Sequence, residues 1–429
     1  MTQATWQSPP PFSAFEPASG HFLTESNREQ YRQAYAAIQV SKSGIQLVQE
    51  KDPVLALAKI FGGLEAGATL ALGNPDWPDS ICAEVRQQLD GFPCPELSLE
   101  PELLIPTGGS SGGLIKLARH TWTSLATAAL SLQAHLEGAS INSLCVLPVY
   151  HVSGFMQAVR ALVSGGMLHL AQSPQLESGN LPPQLHLAET CLSLVPTQLR
   201  RLIPGQLSLL QSFKMIFLGG AGFEPDELQE LGQAKLPIAL SYGMTETAAM
   251  VTLSSPEALE NGDFTQGPPL PHVTLQLTEE DQVAIDSACL FRGYVAHPAR
   301  APGTPYLAGD RGRLDAAGRF QFLGRVDNLI NTGGEKVDPQ RVIQALKQRH
   351  EILDTWVGGI PDPDWGERVV AAVVIKAGQS LNMEQLRQEL THTLAPHEIP
   401  KSIQAFDSLP LNAVGKVDSE SMRSRFTTD

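Results

Sequence analysis

The sequence predicts an α/β protein: a large N-terminal domain of several subdomains, with parallel-rich sheets, helices and a small β subdomain, then a small α+β C-terminal domain. Three observations predict it. Short, continuously apolar segments at 143–147, 192–195 and 215–218 alternate with helical segments, the pattern of parallel strands buried on both faces. Between 273 and 322 the chain turns strand-rich with Gly and Pro punctuation, which marks the β subdomain. Beyond about residue 328 helices and strongly apolar strands follow in a separate run. At roughly 100–200 residues per domain, 429 residues make two to four structural units.

Taken in order, residues 1 to about 40 read as a lead-in kept extended by Pro9, Pro10 and Pro11. Residues 53–75 read as an apolar helix, a Gly turn and a short buried strand. The strand at 103–105 runs into a Gly/Ser-rich loop, and helical spacing resumes over 120–136. Buried strands follow at 143–147, 167–171, 192–195 and 215–218, with helices at 197–202 and 225–232. The last unit carries a helix at 339–349, strands at 355–358 and 368–375, and a helix at 382–394.

Composition narrows the function classes. Hydrophobic residues make up 42% and charged residues 17% of the chain, so a sizeable core can form. The net charge is -15, from Asp+Glu 45 against Lys+Arg 30, which disfavours a nucleic-acid partner. A site for anions must then supply its own positive charge. Cys82, Cys94, Cys145, Cys191 and Cys289 form no C-x-x-C pair, so neither a disulfide framework nor a structural zinc site is expected. The polar, Pro-rich start has no apolar signal core, and no apolar run reaches the ~18 residues of a membrane span. The expected compartment is the cytoplasm, and homo-oligomerisation is left open.

Four segments carry chemistry. The first runs from Thr107 through Gly108, Gly109, Ser110, Ser111, Gly112, Gly113, Leu114 and Ile115 to Lys116. Glycines let backbone N–H groups crowd an anion, hydroxyls add donors and a Lys adds charge. A place between strand and helix suits a phosphate cradle; a flexible turn is the plain alternative. It is not a Walker loop, because Leu114 and Ile115 stand where Lys-Ser/Thr is required. The second segment is Ser241, Tyr242, Gly243, Met244, Thr245, Glu246 and Thr247. Its aromatic ring can stack on a base, its hydroxyl can bond a phosphate and its carboxylate can hold Mg²⁺, unless it is only a strand-end turn. The third joins Gly309-Asp310-Arg311-Gly312-Arg313 to Gly324-Arg325-Val326-Asp327. A buried Asp can accept from both ribose hydroxyls and an Arg can fork onto phosphate; a pair of hairpin turns is the rival. The fourth places Lys416 on a Gly-hinged turn near the end of the sequence, where a solvated surface Lys is the ordinary reading.

In this order and spacing the four segments resemble the adenylate-forming superfamily of acyl-CoA synthetases, peptide-synthetase adenylation domains and beetle luciferases, over about 103–418. The resemblance implies ATP, Mg²⁺ and coenzyme A as small-molecule partners. It implies that Thr107, Gly109, Ser110, Ser111 and Gly112 hold the β- and γ-phosphates. Gly220, Ala221 and Gly222 flank the adenine, with Tyr242 stacked on it beside Gly243. Thr245 touches the α-phosphate, Glu246 binds Mg²⁺, and Asp310 takes the ribose with help from Arg325. The domains become 1–326 and 328–429, with Asp327 as hinge to a mobile C-terminal domain that brings Lys416 to the reacting carboxylate. Gly333 and Gly334 lie on the coenzyme A side. The loop departs from the family's Gly-x-Pro-Lys, so Lys116 sits one residue late and its role is open.

Within the superfamily the chain is most similar to the o-succinylbenzoate–CoA ligase sub-family of menaquinone and phylloquinone biosynthesis. Pro148-x-x-His151-x-Ser153-Gly154, Arg160 at the matching offset, and Val195-Pro196-Thr197-Gln198 carry that likeness. It implies His151, Ser153, Gly154, Arg160, Ser241 and Gly219 around the acyl substrate. Because o-succinylbenzoate is a dianion activated on one carboxylate, a pocket cation such as Arg160 can anchor the other. A solvent-facing Arg160 and a packed helix-start His151 are the rival readings. A ligase for another aryl or short-chain acid, and a stand-alone domain loading a carrier protein, stay as alternatives. The region 147–151 lacks the Asp that amino-acid activators use.

Overall fold

A computed structural model of the chain describes residues 8–38, 45–92, 100–107, 115–220, 225–301, 303–410 and 417–426. Among these the strands form four sheets. The central one has six strands in the order Ala249–Leu253, Ile238–Met244, Met215–Leu218, Thr190–Leu194, Asn142–Cys145 and Leu168–Leu170. All its pairs are parallel except the first, which is antiparallel. The apolar runs that predicted buried strands are the middle of this sheet; Leu144, Leu192 and Ile216 are fully buried. A parallel sheet needs cover on both faces, so its strands carry no polar alternation.

A second sheet pairs Gln46–Val48, Leu70–Leu72 and Glu102–Thr107 in parallel and closes with antiparallel Lys116–Thr121. The β subdomain is the antiparallel meander Thr274–Leu277, Gln282–Asp286, Tyr306–Leu314 and Phe320–Arg325. The C-terminal unit is built on Ile352–Asp362 paired with Gly366–Ile375, extended by Ile330–Thr332, Glu335–Val337 and Ser402–Phe406. Its two apolar clusters draw only on residues from Ile330 onward. Arg311 of the meander pairs with Asp338 at the start of this unit, 3.3 Å apart.

Local chemistry sets the helix starts. Asp52 caps Pro53–Glu65 by accepting from the backbone N–H of Val54 and Leu55, with Pro53 in the first turn, where its missing N–H costs nothing. Thr121 and Ser124 form a reciprocal capping box that starts Trp122–His135.

The structure corrects three sequence expectations. The lead-in is core: Phe22, Leu23 and Tyr31 are fully buried, and Phe22 meets Phe61 edge-on at 5.5 Å. Proline content hid the helix Glu25–Ala36, whose Tyr31 side chain fills that core. The short helix at 197–202 is Pro196–Gln211, which absorbs Pro204 by a kink at Gln206. Residues 120 and 121 belong to a strand, so helix follows the Gly/Ser loop only after a full antiparallel return strand. No helix among the described residues is long and apolar enough to cross a membrane.

Candidate active site

The site begins at a hairpin. Glu102–Thr107 and Lys116–Thr121 pair along their whole length, with Thr107 opposite Lys116. The Gly/Ser loop therefore joins two strands rather than a strand and a helix. Thr107 is half-buried at the loop's entry, while Gly109, Ser110, Ser111 and Gly112 lie outside the described residues.

The ends of two central strands form the next wall. Ser241 donates from Oγ to the Leu218 carbonyl at 3.2 Å. A Cβ on Gly219 would stand 2.5 Å from that Oγ and 3.1 Å from the Ser241 carbonyl, so a side chain there would displace the Ser241 hydroxyl. Gly220 has φ +88°, a left-handed turn off the strand end; Ala221 and Gly222 lie outside the described residues. Tyr242 is 7% exposed and donates its hydroxyl to Asp310 at 2.9 Å. Its ring rests 4.6 Å from Phe320, and burial first, then Asp310, raises its pKa. Asp310 is itself 7% exposed and pairs with Arg325 at 3.4 Å. The structure thus brings Tyr242, Asp310 and Arg325 together from segments 68 residues apart in sequence. A Cβ on Gly243 would overlap the Ala249 carbonyl, so Gly243 allows the close antiparallel approach of Ala249–Leu253.

After Met244 the chain makes the turn Thr245–Thr247. Glu246 is 8% exposed and its carboxylate accepts from the Tyr294 hydroxyl at 2.5 Å. That hydroxyl has one proton, spent on Glu246, so Tyr306, 3.4 Å away, is the donor of the second contact. Burial and then Glu246 raise the Tyr294 pKa. Lys116 Nζ stands 5.4 Å from the centre of the Tyr294 ring, so this lysine shares a neighbourhood with Glu246. On the other side His120, fully buried, meets the Thr245 carbonyl through Nε2 at 2.7 Å and Ser124 Oγ through Nδ1 at 2.9 Å. Burial lowers the His120 pKa to about 4, partly offset by the Thr245 carbonyl, so the ring is neutral at pH 7. His120, Tyr294 and Tyr306 were not singled out from the sequence. His120 looked like the start of a helix, and the tyrosines sit in loop and strand text with no motif around them.

Among the described residues no three His, Cys, Asp or Glu side chains gather into a metal cage. Glu246 offers a single buried carboxylate. That fits Mg²⁺, which is held by one or two carboxylates and completes its shell with phosphate oxygens and water.

A second group lies on the helix Val152–Ser164. His151 is its N-cap residue, half-buried, its ring 4.7 Å from Tyr150 and its pKa lowered by burial. Ser153 is half-buried in the first turn and accepts through its carbonyl from Gln157. A Cβ on Gly154 would overlap the Pro148 carbonyl, so the helix start is pinned against the preceding turn. Arg160 is 4% exposed, which excludes the solvent-facing reading. Its guanidinium lies 5.9 Å from the Phe217 ring, next to the thiols of Cys145 and Cys191. Its buried Nε has no hydrogen-bond partner among the described residues, and burial lowers its pKa to about 10, still charged at neutral pH.

Gly333 and Gly334 form the positive-φ turn between Ile330–Thr332 and Glu335–Val337 in the C-terminal unit. A Cβ on Gly333 would stand 2.6 Å from the half-exposed Trp365 ring. Asp327 lies in the single turn Val326–Asn328, and Lys416 lies outside the described residues.

Comparison with known proteins matches residues 29–295 to the family described as AMP-binding enzyme and residues 344–416 to the AMP-binding enzyme C-terminal domain. The 2-succinylbenzoate–CoA ligase of Geobacillus sp. (strain WCH70) is 28% identical over 82% of this chain and 77% of its own length. The Staphylococcus aureus (strain MRSA252) enzyme of that name is 30% identical over 64% of this chain and 57% of its own length. A probable 2-succinylbenzoate–CoA ligase of Mycobacterium tuberculosis (strain H37Rv) is 28% identical over 86% of this chain and 94% of its own. Among solved structures, ATP-bound MatB of Rhodopseudomonas palustris aligns with TM-score 0.76 at 21% identity, covering 97% of this chain and 93% of that one. The Bacillus subtilis o-succinylbenzoate CoA synthetase in complex with its acyl-adenylate aligns with TM-score 0.73 at 21% identity, covering 96% and 92%. At these identities the structural likenesses speak to the fold alone.

Proposed function

The chain belongs to the family of AMP-binding enzymes, and from that premise we propose that it joins o-succinylbenzoate to coenzyme A through an acyl-AMP intermediate. It is then an AMP-forming acid–thiol ligase of quinone biosynthesis. The observation that carries the choice of acid is Arg160: a buried guanidinium whose Nε has no partner among the described residues and whose titratable neighbours there are two thiols that burial keeps neutral. A buried cation without an anion is costly, and a dianionic substrate supplies one. In o-succinylbenzoate the aromatic carboxylate would sit on Arg160 and leave the succinyl carboxylate to react. The curated relatives of that name support the same acid.

The chemistry assigns roles to the rest. An oxygen of the succinyl carboxylate attacks the α-phosphorus of ATP, the bond to the β-phosphate oxygen breaks, and pyrophosphate leaves. Two anions must meet, so local positive charge lowers the barrier. Mg²⁺, when bound, supplies charge neutralisation on the phosphates. Glu246, steadied by Tyr294, would hold it, and Thr245 would touch the α-phosphate. Asp310, held by Tyr242 and Arg325, would take the ribose hydroxyls. Lys416 would come from the C-terminal unit to the reacting carboxylate. The coenzyme A sulfur then attacks the acyl carbon, losing its proton, and AMP leaves.

The test is pyrophosphate release by the purified protein with ATP, Mg²⁺, coenzyme A and o-succinylbenzoate, beside benzoates, fatty acids and malonate. Selective formation of the o-succinylbenzoyl-CoA ester is expected. Preference for a monocarboxylate would remove the case for Arg160 as the anchor and overturn the choice of acid.

A further inference from the structure

We propose that His120 is a positioning residue for the adenylation step: its Nε2–H holds the Thr245 carbonyl and so fixes the turn that presents Thr245 and Glu246 to the nucleotide. The inference rests on the ligase reading above, and goes beyond it to a residue outside the nucleotide-facing segments. Thr245 O is 2.7 Å from Nε2, and a carbonyl only accepts, so Nε2 carries the proton. The neutral ring's other nitrogen is then an acceptor; Ser124 Oγ stands 2.9 Å from it and 2.9 Å from the Thr121 carbonyl, so its one proton serves both acceptors. One tautomer is thereby fixed in a side chain with no exposed surface.

The turn needs such a fastening. Ala248 and Ala249, just after it, both have positive φ, at 51° and 82°, where an alanine Cβ is strained. Thr247 Oγ1 holds the turn internally through Met244 and Ala249, and Phe291 N–H donates to the Glu246 carbonyl at 2.9 Å. His120 is the fastening that reaches it from the hairpin carrying the Gly/Ser loop, 125 residues earlier in sequence. It sits on the return strand Lys116–Thr121, four residues after Lys116. One imidazole therefore ties the return strand Lys116–Thr121 directly to the turn proposed for the α-phosphate and Mg²⁺. His120 does not reach substrate itself, because the protein covers it completely.

The test compares three variants of the full chain. His120→Leu keeps bulk and removes the donor. His120→Gln keeps a donor at the reach of Nε2, whereas the shorter His120→Asn does not reach Thr245. The readouts are MgATP affinity by calorimetry without any acid, the adenylation rate by pyrophosphate exchange, KM for the acid, and the melting temperature. Expected for His120→Leu and His120→Asn is a loss of roughly ten-fold in MgATP affinity or adenylation rate, the scale of one lost buried hydrogen bond, with KM for the acid unchanged. His120→Gln restores most of it. If His120→Leu does not fold, the Asn and Gln pair still decides. A lowered melting temperature with MgATP affinity and adenylation unchanged in the folded variants would overturn the proposal, as would equal behaviour of Asn and Gln. A wild-type protein that binds MgATP but activates no acid would tell against the ligase reading instead, and the MgATP comparison would still judge His120.

Discussion

Arg160 and His120 show how burial converts an ordinary side chain into a specific one. Arg160 is charged, covered and without a carboxylate partner among the described residues. Replacing it with Met removes an uncompensated buried charge and keeps volume, so the melting temperature should hold or rise. Turnover of o-succinylbenzoate should fall by about 100-fold or more in kcat/KM, the loss of one charge-assisted contact, with KM for ATP unchanged. Equal activity of Arg160→Met on this acid would sink the anchor. His120 gives a pH prediction. Its folded pKa is about 4 against 6.5 for the unmodified group, because burial disfavours the cation. The unfolded chain therefore binds the extra proton first as pH falls, and stability present above pH 6.5 drains away toward pH 4. The loss is on the order of 3 kcal/mol by pH 4. A chemical-denaturation series from pH 7 to pH 4 on wild type and His120→Gln checks it: the variant should lose less.

Elements are held at contacts where no Cβ fits and at faces the sequence disguises. Gly243 lets the central sheet's antiparallel edge strand approach, and Gly154 lets the acyl-side helix start against Pro148. In each, an alanine Cβ would meet a backbone carbonyl, which cannot swing aside. Gly243→Ala and Gly154→Ala should each destabilise by about 2–4 kcal/mol, the scale of overpacking with backbone shift, read as a lower denaturation midpoint. An unchanged midpoint for either would show that the strand or helix can slide. Phe22 makes the same point for the N-terminal segment, with edge contacts to Tyr31 and Phe61. Phe22→Ala should cost about 3–5 kcal/mol, whereas a true lead-in would tolerate it within about 0.5 kcal/mol.

At the scale of the whole molecule, a C-terminal unit with its own apolar clusters follows a larger body that holds Glu246, Asp310 and Arg160. We propose Asp327 as the hinge between them and Lys416 as the group this unit delivers. Lys416→Ala should abolish acyl-AMP formation while MgATP binding survives, because the residues proposed to contact the nucleotide lie in the other unit. Pyrophosphate exchange beside calorimetry separates the two, and unchanged exchange would remove Lys416 from the reaction.

The sequence by itself determined the class of the fold and the order of its chemistry. Short continuous apolar runs such as 215–218, alternating with helical text, read as buried strands, and the texts around Tyr242, Asp310 and Lys416 carry their own spacing. The family resemblance also pointed to Arg160, though not to its burial. Only the tertiary structure decided that Phe22, Leu23 and Tyr31 are core, because an aromatic is recognisable as core only when its partners are known. Only the tertiary structure showed Lys116–Thr121 to be a return strand, since such a strand is defined by register with Glu102–Thr107 and not by its own residues. It alone joined His120 to Thr245, Tyr294 to Glu246 and Tyr242 to Asp310. Those contacts span 125, 48 and 68 residues of chain, and no periodicity reports a hydrogen bond made at such separations.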